Sequence, residues 1–210
     1  MKITLLGATG YLGSKVLERL QNEHEVNCLV RTPSKLQETS AEIIQGDFKD
    51  PAMLEKALEG AEVVIYALNP DKDPSVKPNL SQYVRAFQTL VDLCQQKGVG
   101  RFIAISGASV PIPGEVKIPF QRRLIRPIMK TLIGRNVKVK DEEARILYES
   151  LLNWTLVRPG LIKKEKPGKF RVELKDLPSS SVDRAQLVEF ISELIQSDEF
   201  TRKGPLVGTF

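Results

Sequence analysis

The sequence predicts an α/β protein with a doubly wound, mostly parallel sheet in a single domain over residues 1-210. Three observations predict it. Strand-like and helix-like segments alternate along most of the chain, and crossovers between parallel strands are helical and right-handed. The run from Ala61 to Leu68 is almost continuously apolar, as in a strand covered by helices on both faces. Glycines and prolines fall between the elements, with no repeat, low-complexity tract or linker to divide the chain. A chain of 210 residues is long enough to bury one sizeable core.

The elements follow in order. Lys2–Leu6 is a short apolar strand, and Tyr11–Gln21 places Leu12, Val16, Leu17 and Leu20 on one helical face. Glu25–Val30 reads as a second strand and Glu42–Gln45 as a third. Asp50 followed by Pro51 opens the next helix, an N-cap with proline at the first helical position. Met53, Leu54, Ala57 and Leu58 form its apolar face and Gly60 ends it. After the strand at Ala61–Leu68, a long helix over Leu80–Lys97 turns Val84, Phe87, Val91 and Cys94 inward. Arg101–Ser106 is a strand, Asp141–Leu152 a helix and Trp154–Val157 a strand. Lys169–Leu174 alternates like an exposed strand, Val182–Ile195 is the last amphipathic helix, and Gly204–Val207 a closing strand.

Composition excludes several function classes. Hydrophobic residues are 41% and charged residues 27%, which excludes disorder as the main state. No apolar run reaches the roughly 18–20 residues of a membrane span. A strand beginning at Lys2 leaves no room for a signal peptide, so a cytoplasmic location is the default expectation. Cys28 and Cys94 are too few for a disulfide framework or a cysteine zinc cluster, and the one histidine, His24, excludes a multi-histidine metal site. Both cysteines read as small core residues, Trp154 as core and His24 as surface. The net charge is +5, but residues 111–140 hold eight Lys/Arg against Glu115 alone, leaving the rest of the chain slightly acidic. The chain is therefore not a globally basic nucleic-acid binder.

The most informative motif is Gly7-Ala8-Thr9-Gly10-Tyr11-Leu12-Gly13, placed after the first strand and opening the first helix. Gly7 allows the tight turn, Gly10 lets backbone approach a diphosphate, and Gly13 lets the helix pack close to the sheet. Amides at the helix start, with its dipole, then favour the anion. This is the Rossmann-type arrangement, although the spacing is GxxGxxG. GATGYLG, HEVNCLVRTPSKL, GDFKD and WTLVRPG resemble the atypical short-chain dehydrogenase/reductase group. Within it, the chain is most similar to NmrA-like NAD(P)H-binding proteins of the biliverdin reductase B/flavin reductase type. The similarity runs over nearly the whole length, through SSSVDRAQLVEF, with residues 111–140 the poorly matched stretch.

Dinucleotide choice is read at the end of the second strand. NAD usually needs an acid there to hold the ribose hydroxyls. From Asn27 to Lys35 there is none; Arg31, Thr32, Ser34 and Lys35 offer donors to a 2′-phosphate, so NADP(H) is the expected cofactor. The resemblance implies that Asp47, beside Phe48, receives the adenine amino group. Ala67, Leu68 and Asn69 end the fourth strand, Ser106 the fifth and Pro159 the sixth. Ligands run along such carboxyl edges, so these ends are expected to line the nicotinamide side. Thr9, Tyr11 and Leu12 belong to the phosphate turn.

Carbonyl-reducing short-chain dehydrogenases carry Tyr-x-x-x-Lys, the tyrosine giving a proton and the lysine lowering its pKa and holding the ribose. The one match, Tyr11 to Lys15, lies inside the phosphate turn. Counting back from Ser150 puts the lysine on Lys140 and the tyrosine position on Asn136, so the resemblance departs at the proton donor. Ser106 and Lys140 are the remaining catalytic candidates. Asp141-Glu142-Glu143 reads as a charged helix start rather than a carboxylate pair. Three readings stay open: hydride transfer to a flavin- or tetrapyrrole-like acceptor whose proton comes from solvent, NADP(H) binding without catalysis as a sensor or regulator, or a membrane-surface assembly factor that keeps the cofactor fold for structure.

Residues 118–133, IPFQRRLIRPIMKTLI, mix an apolar face with Arg122, Arg123, Arg126 and Lys130, and Pro127 interrupts any helix. The stretch at about 111-140 reads as a basic lid-like insertion over a small-molecule substrate. Two alternatives remain: peripheral contact of 117–140 with an anionic membrane or an acidic partner, and attraction of an anionic substrate.

Overall fold

Val63, Val64, Ile65 and Tyr66 are all buried, as expected for a strand with helices on both faces. Val63 and Ile65 face one apolar cluster and Val64 and Tyr66 the other, so the sheet separates two cores. The computed structural model describes residues 1–69, 80–113 and 138–210.

The elements run β1 (Lys2–Leu6), α1 (Gly13–Leu20), β2 (Glu25–Val30), a 3₁₀ turn (Pro33–Lys35), β3 (Glu42–Gln45), α2 (Pro51–Ala57) and β4 (Val63–Tyr66). They continue with α3 (Leu80–Gln96), β5 (Arg101–Ile105), α4 (138–149 among the described residues), β6 (Trp154–Pro159) and β7 (Leu161–Lys163). The described chain closes with β8 (Phe170–Glu173), β9 (Ser181–Asp183), α5 (Arg184–Glu193) and β10 (Leu206–Thr209).

The large sheet has the order β3-β2-β1-β4-β5-β6-β10-β8, parallel except for antiparallel β8 at one edge. The strand order reverses at β1, so the crevice beyond the carboxyl ends of β1, β2 and β4 is the topological switch point where α/β proteins bind ligands. Helices α2, α3 and α4 cover one face around Tyr66, Phe87, Phe102 and Trp154; α1 and α5 cover the other. Asp50 caps α2 as expected, its Oδ1 accepting from the Ala52 amide at 2.9 Å. Among the described residues no helix is long and apolar enough to cross a membrane.

Several boundaries differ from the sequence reading. Helix α4 is already formed at residue 138, so Lys138 and Lys140 belong to it and not to an insertion reaching residue 140. Lys140 is 6% exposed, which removes it from any solvated basic face, and Glu143 at 3% is core rather than an exposed helix start. Residues 181–183 pair with β7 as a parallel ladder before α5 begins, because Asp183 caps that helix through the Gln186 amide at 3.1 Å. The closing strand lies two residues later than predicted. Cys28, Cys94 and Trp154 are core, whereas His24 is half-buried with Nδ1 lacking a hydrogen-bond partner. The expectations placed on residues 114–137, including Asn136 and most of the basic lid-like stretch, lie outside the described residues.

Candidate functional site

The turn after β1 is held by its glycines. Gly7 has φ +101°, and a Cβ there would stand 2.8 Å from the Ala67 carbonyl group. A Cβ on Gly13 would stand 2.1 Å from the Gly7 carbonyl oxygen, so α1 can lie this close to the strand end only without one. The Gly10 amide donates to that oxygen at 2.9 Å. No side chain caps the start of α1. The Ser14, Lys15 and Val16 amides are taken by the Gly10 and Leu12 carbonyls, so the backbone of the glycine turn and the positive end of the helix dipole are what face an anion, which fits a diphosphate.

Beside the turn is a cleft lined by Gly7, Thr9, Arg31, Thr32, Lys35 and Asp47, continued by Phe48, Leu68 and Asn69. These nine expected binding residues therefore come together. Arg31, Thr32 and Lys35 are exposed on the turn following β2, a cationic wall with no acid from Asn27 to Lys35. Asp47 accepts the Lys49 amide on Oδ1 at 2.9 Å and faces the Lys49 ammonium at 3.4 Å on Oδ2. A carboxylate accepts more bonds than these two, which leaves capacity for an amine of a bound base. The donor set fits a nicotinamide dinucleotide: amides for the diphosphate, cations for a ribose phosphate and a carboxylate for adenine.

The cleft also contains residues that the sequence reading did not single out: Leu29, Val30, Gly46 and Tyr83. Tyr83 packs on Phe48 with ring centroids 5.9 Å apart, and Lys49 lies 5.6 Å from its centroid. The helical pattern named Val84 as inward, but Val84 is half-buried and Tyr83 is buried. A tyrosine one position from an inward residue on a helix bordering the crevice was the available signal.

Gly10 and Tyr11 are exposed on the turn, and Tyr11 carries the Arg184 guanidinium 4.4 Å from its ring centroid. Leu12 is buried in the core, so only its backbone can serve a ligand. Ala67 is half-buried beyond β4. Ser106 continues the β5–β6 ladder through its amide to the Val157 carbonyl at 2.9 Å, and its Oγ is buried without a hydrogen-bond partner. Pro159 is buried in β6, where its carbonyl accepts the Ala108 amide at 2.9 Å. Ser106 and Pro159 thus sit on adjacent strand ends, outside the lining of the adenosine-side cleft.

Lys140 lies behind those ends. Its ammonium pairs with Glu143 Oε2 at 2.8 Å and donates to the carbonyls of Leu68 at 2.7 Å and Ile105 at 3.3 Å. Tyr66 donates its hydroxyl to Glu143 Oε1 at 2.8 Å. Burial, then the neighbouring Glu143 charge, pushes the Tyr66 hydroxyl well above its ordinary pKa. Burial likewise raises both thiols, Cys28 to about 12, so neither is a nucleophile near neutral pH. Among the described residues no cluster of His, Cys, Asp or Glu could hold a metal ion.

The chain is similar to several known proteins. The chain is 28% identical over its whole length to the photosystem II assembly factor Ycf39 of Cyanophora paradoxa and spans 64% of that relative. The solved anaerobillin reductase ChuY from Escherichia coli O157:H7 superposes with TM-score 0.81 at 18% identity, covering 100% of this chain and 97% of that one. A short-chain dehydrogenase/reductase from Veillonella parvula, solved with NADP, gives TM-score 0.76 at 21% identity over 99% of this chain and 94% of that one. These structures share the fold. Residues 7–198 match the NAD(P)H-binding family, and with nearly the whole chain inside that match, the protein belongs to it.

Proposed function

We propose that the chain is an NADPH-dependent reductase that transfers hydride to a conjugated, anionic acceptor of flavin or tetrapyrrole type, in the NmrA-like branch of the family. One observation carries it: the glycine turn and the donors Arg31, Thr32 and Lys35 line the same cleft, with no ribose-binding acid on that turn. Bound reduced nicotinamide supplies the hydride. The glycine turn at the positive end of α1 holds the diphosphate, Arg31 and Lys35 face the 2′-phosphate, and Asp47 accepts from adenine. Leu68, Ser106 and Pro159 border the nicotinamide. Ser106 Oγ, buried without a hydrogen-bond partner just beyond β5, is the candidate hydroxyl donor to the reacting end. Anaerobillin reductase as a fold relative supports the tetrapyrrole class.

The experiment is cofactor titration by fluorescence followed by NADPH oxidation with a panel of flavins, quinones and tetrapyrroles. The expected result is tighter binding of NADPH than NADH and turnover with a flavin or tetrapyrrole. Equal or reversed cofactor affinities overturn the NADP(H) assignment.

A second reading is a non-catalytic NADP(H)-binding regulator or assembly factor. The buried, fully engaged Lys140 favours it, because its ammonium is then not available to activate a proton donor. The relative Ycf39 is an assembly factor. Tight NADPH binding without turnover of any acceptor selects this reading. Pelleting with anionic but not neutral vesicles at low salt selects its membrane-surface form, with the charges of 117–137 as the contact.

A further inference from the structure

We propose that Lys140 is a positioning residue that clamps the carboxyl ends of β4 and β5 and so shapes the nicotinamide half of the site without touching the cofactor. This rests on the reading above that those strand ends border the nicotinamide.

The donor count carries the inference. A lysine ammonium has three N–H bonds to give. Glu143 Oε2, the Leu68 carbonyl and the Ile105 carbonyl stand 2.8, 2.7 and 3.3 Å from Nζ and take all three. None remains for a ribose hydroxyl. The last registered pair between β4 and β5 is Tyr66 with Ala104. The two carbonyls that Lys140 bridges lie beyond it, where the strands have stopped pairing. The ammonium therefore replaces a cross-strand bond at the point where the crevice opens. Leu68 lines the cleft, and Ile105 immediately precedes Ser106.

The clamp is itself fixed. The side chains of Lys140 and Glu143 are 7% and 4% exposed and one helical turn apart on α4. Glu143 is held on its other oxygen by Tyr66, whose ring lies 4.9 Å from the ammonium. A buried ion pair gives little net stability over apolar side chains of similar volume. Its value here is geometric: an apolar residue at position 140 leaves two strand-end carbonyls without this donor.

The test compares wild type with Lys140→Met, Glu143→Gln and Tyr66→Phe in two measurements. The first is amide hydrogen exchange of the cofactor-free protein. The amides of Ala67, Ser106 and Ala108 are bonded to strand carbonyls, and the Gly10 and Ser14 amides to the phosphate turn. The clamp predicts exchange at least tenfold faster at the first three and unchanged at the last two. The second is binding of NADPH against its adenosine half, as adenosine 2′,5′-bisphosphate and ADP. The clamp predicts about tenfold weaker NADPH binding in both Lys140→Met and Glu143→Gln. Binding of the adenosine half stays within twofold of wild type.

Loss of NADPH affinity in Lys140→Met alone means direct contact with the cofactor and overturns the proposal. Equal loss for both ligands, or unchanged exchange at the strand ends, also overturns it. Should Lys140→Met fail to fold, Glu143→Gln and Tyr66→Phe carry the same exchange prediction. If wild type binds neither NADPH nor NADH, the cofactor reading falls, and selective exchange at the strand ends still upholds the clamp.

Discussion

Replacing Gly13 by alanine tests the phosphate turn at its tightest point. The added Cβ would stand 2.1 Å from the Gly7 carbonyl oxygen and 2.8 Å from its carbon, and both are backbone atoms that cannot rotate aside. Relief to ordinary contact needs about 1 Å of separation between the turn and α1, because packed interiors yield little. Overpacking of this kind costs about 1–3 kcal/mol, which for a chain of this size is a melting-point loss of roughly 2–12 °C. The same movement carries the backbone of the glycine turn beyond the roughly 2.7–3.2 Å reach of a hydrogen bond to the diphosphate. Losing one charge-assisted bond of about 1.5–3 kcal/mol weakens NADPH about 10- to 150-fold. Thermal melting and calorimetric titration read the two effects. Gly98→Ala is the control: its φ of +70° adds strain, but a Cβ there meets nothing within 4 Å, so stability falls and cofactor affinity does not. A Gly13→Ala protein that melts within 1 °C of wild type and binds NADPH within twofold would refute the packing argument.

Other expectations are as direct. Arg31→Asp weakens NADPH by about tenfold or more and NADH far less, measured by fluorescence titration, since only the former has a phosphate for the cation to meet. Asp50→Ala removes the bond from Oδ1 to the Ala52 amide and costs about 1 kcal/mol, read as a melting-point loss of roughly 2–4 °C without change in cofactor affinity. The Cys28 thiol is raised by burial from 9.0 to about 12, so the folded state holds its proton where the unfolded chain releases it. Its contribution is fully present below pH 9 and is lost as pH climbs toward 12. Denaturant unfolding from pH 8 to 11 therefore declines more steeply for wild type than for Cys28→Ala; parallel curves would contradict this.

What the sequence disclosed was local. A glycine turn between a strand and a helix, an Asp-Pro helix entry and an acid-free strand end each act through neighbours in the chain, and the structure brings the first and the last together around one cleft. What it withheld depends on partners far away in sequence. Lys140 reads as one more cation in a basic stretch because lysines are seldom buried; its partners Leu68 and Ile105 lie 72 and 35 residues away. Tyr83 falls beside the predicted inward face, and its ring partner in the cleft, Phe48, lies on a distant part of the chain. The pairing of β7 with β9 was hidden because three-residue strands carry too little alternation to be seen.

The position of β10 has a consequence for biosynthesis. It sits between β6 and β8, so residues 206–209 must be made before residues 170–173 can join the sheet. Until then a nascent chain carries β6 as a bare hydrogen-bonding edge with Val157 at its centre, the kind of surface that invites strands from other molecules. Translation stalled between residues 175 and 205 should therefore yield a species that recruits chaperones, and release of the remaining residues should end that dependence.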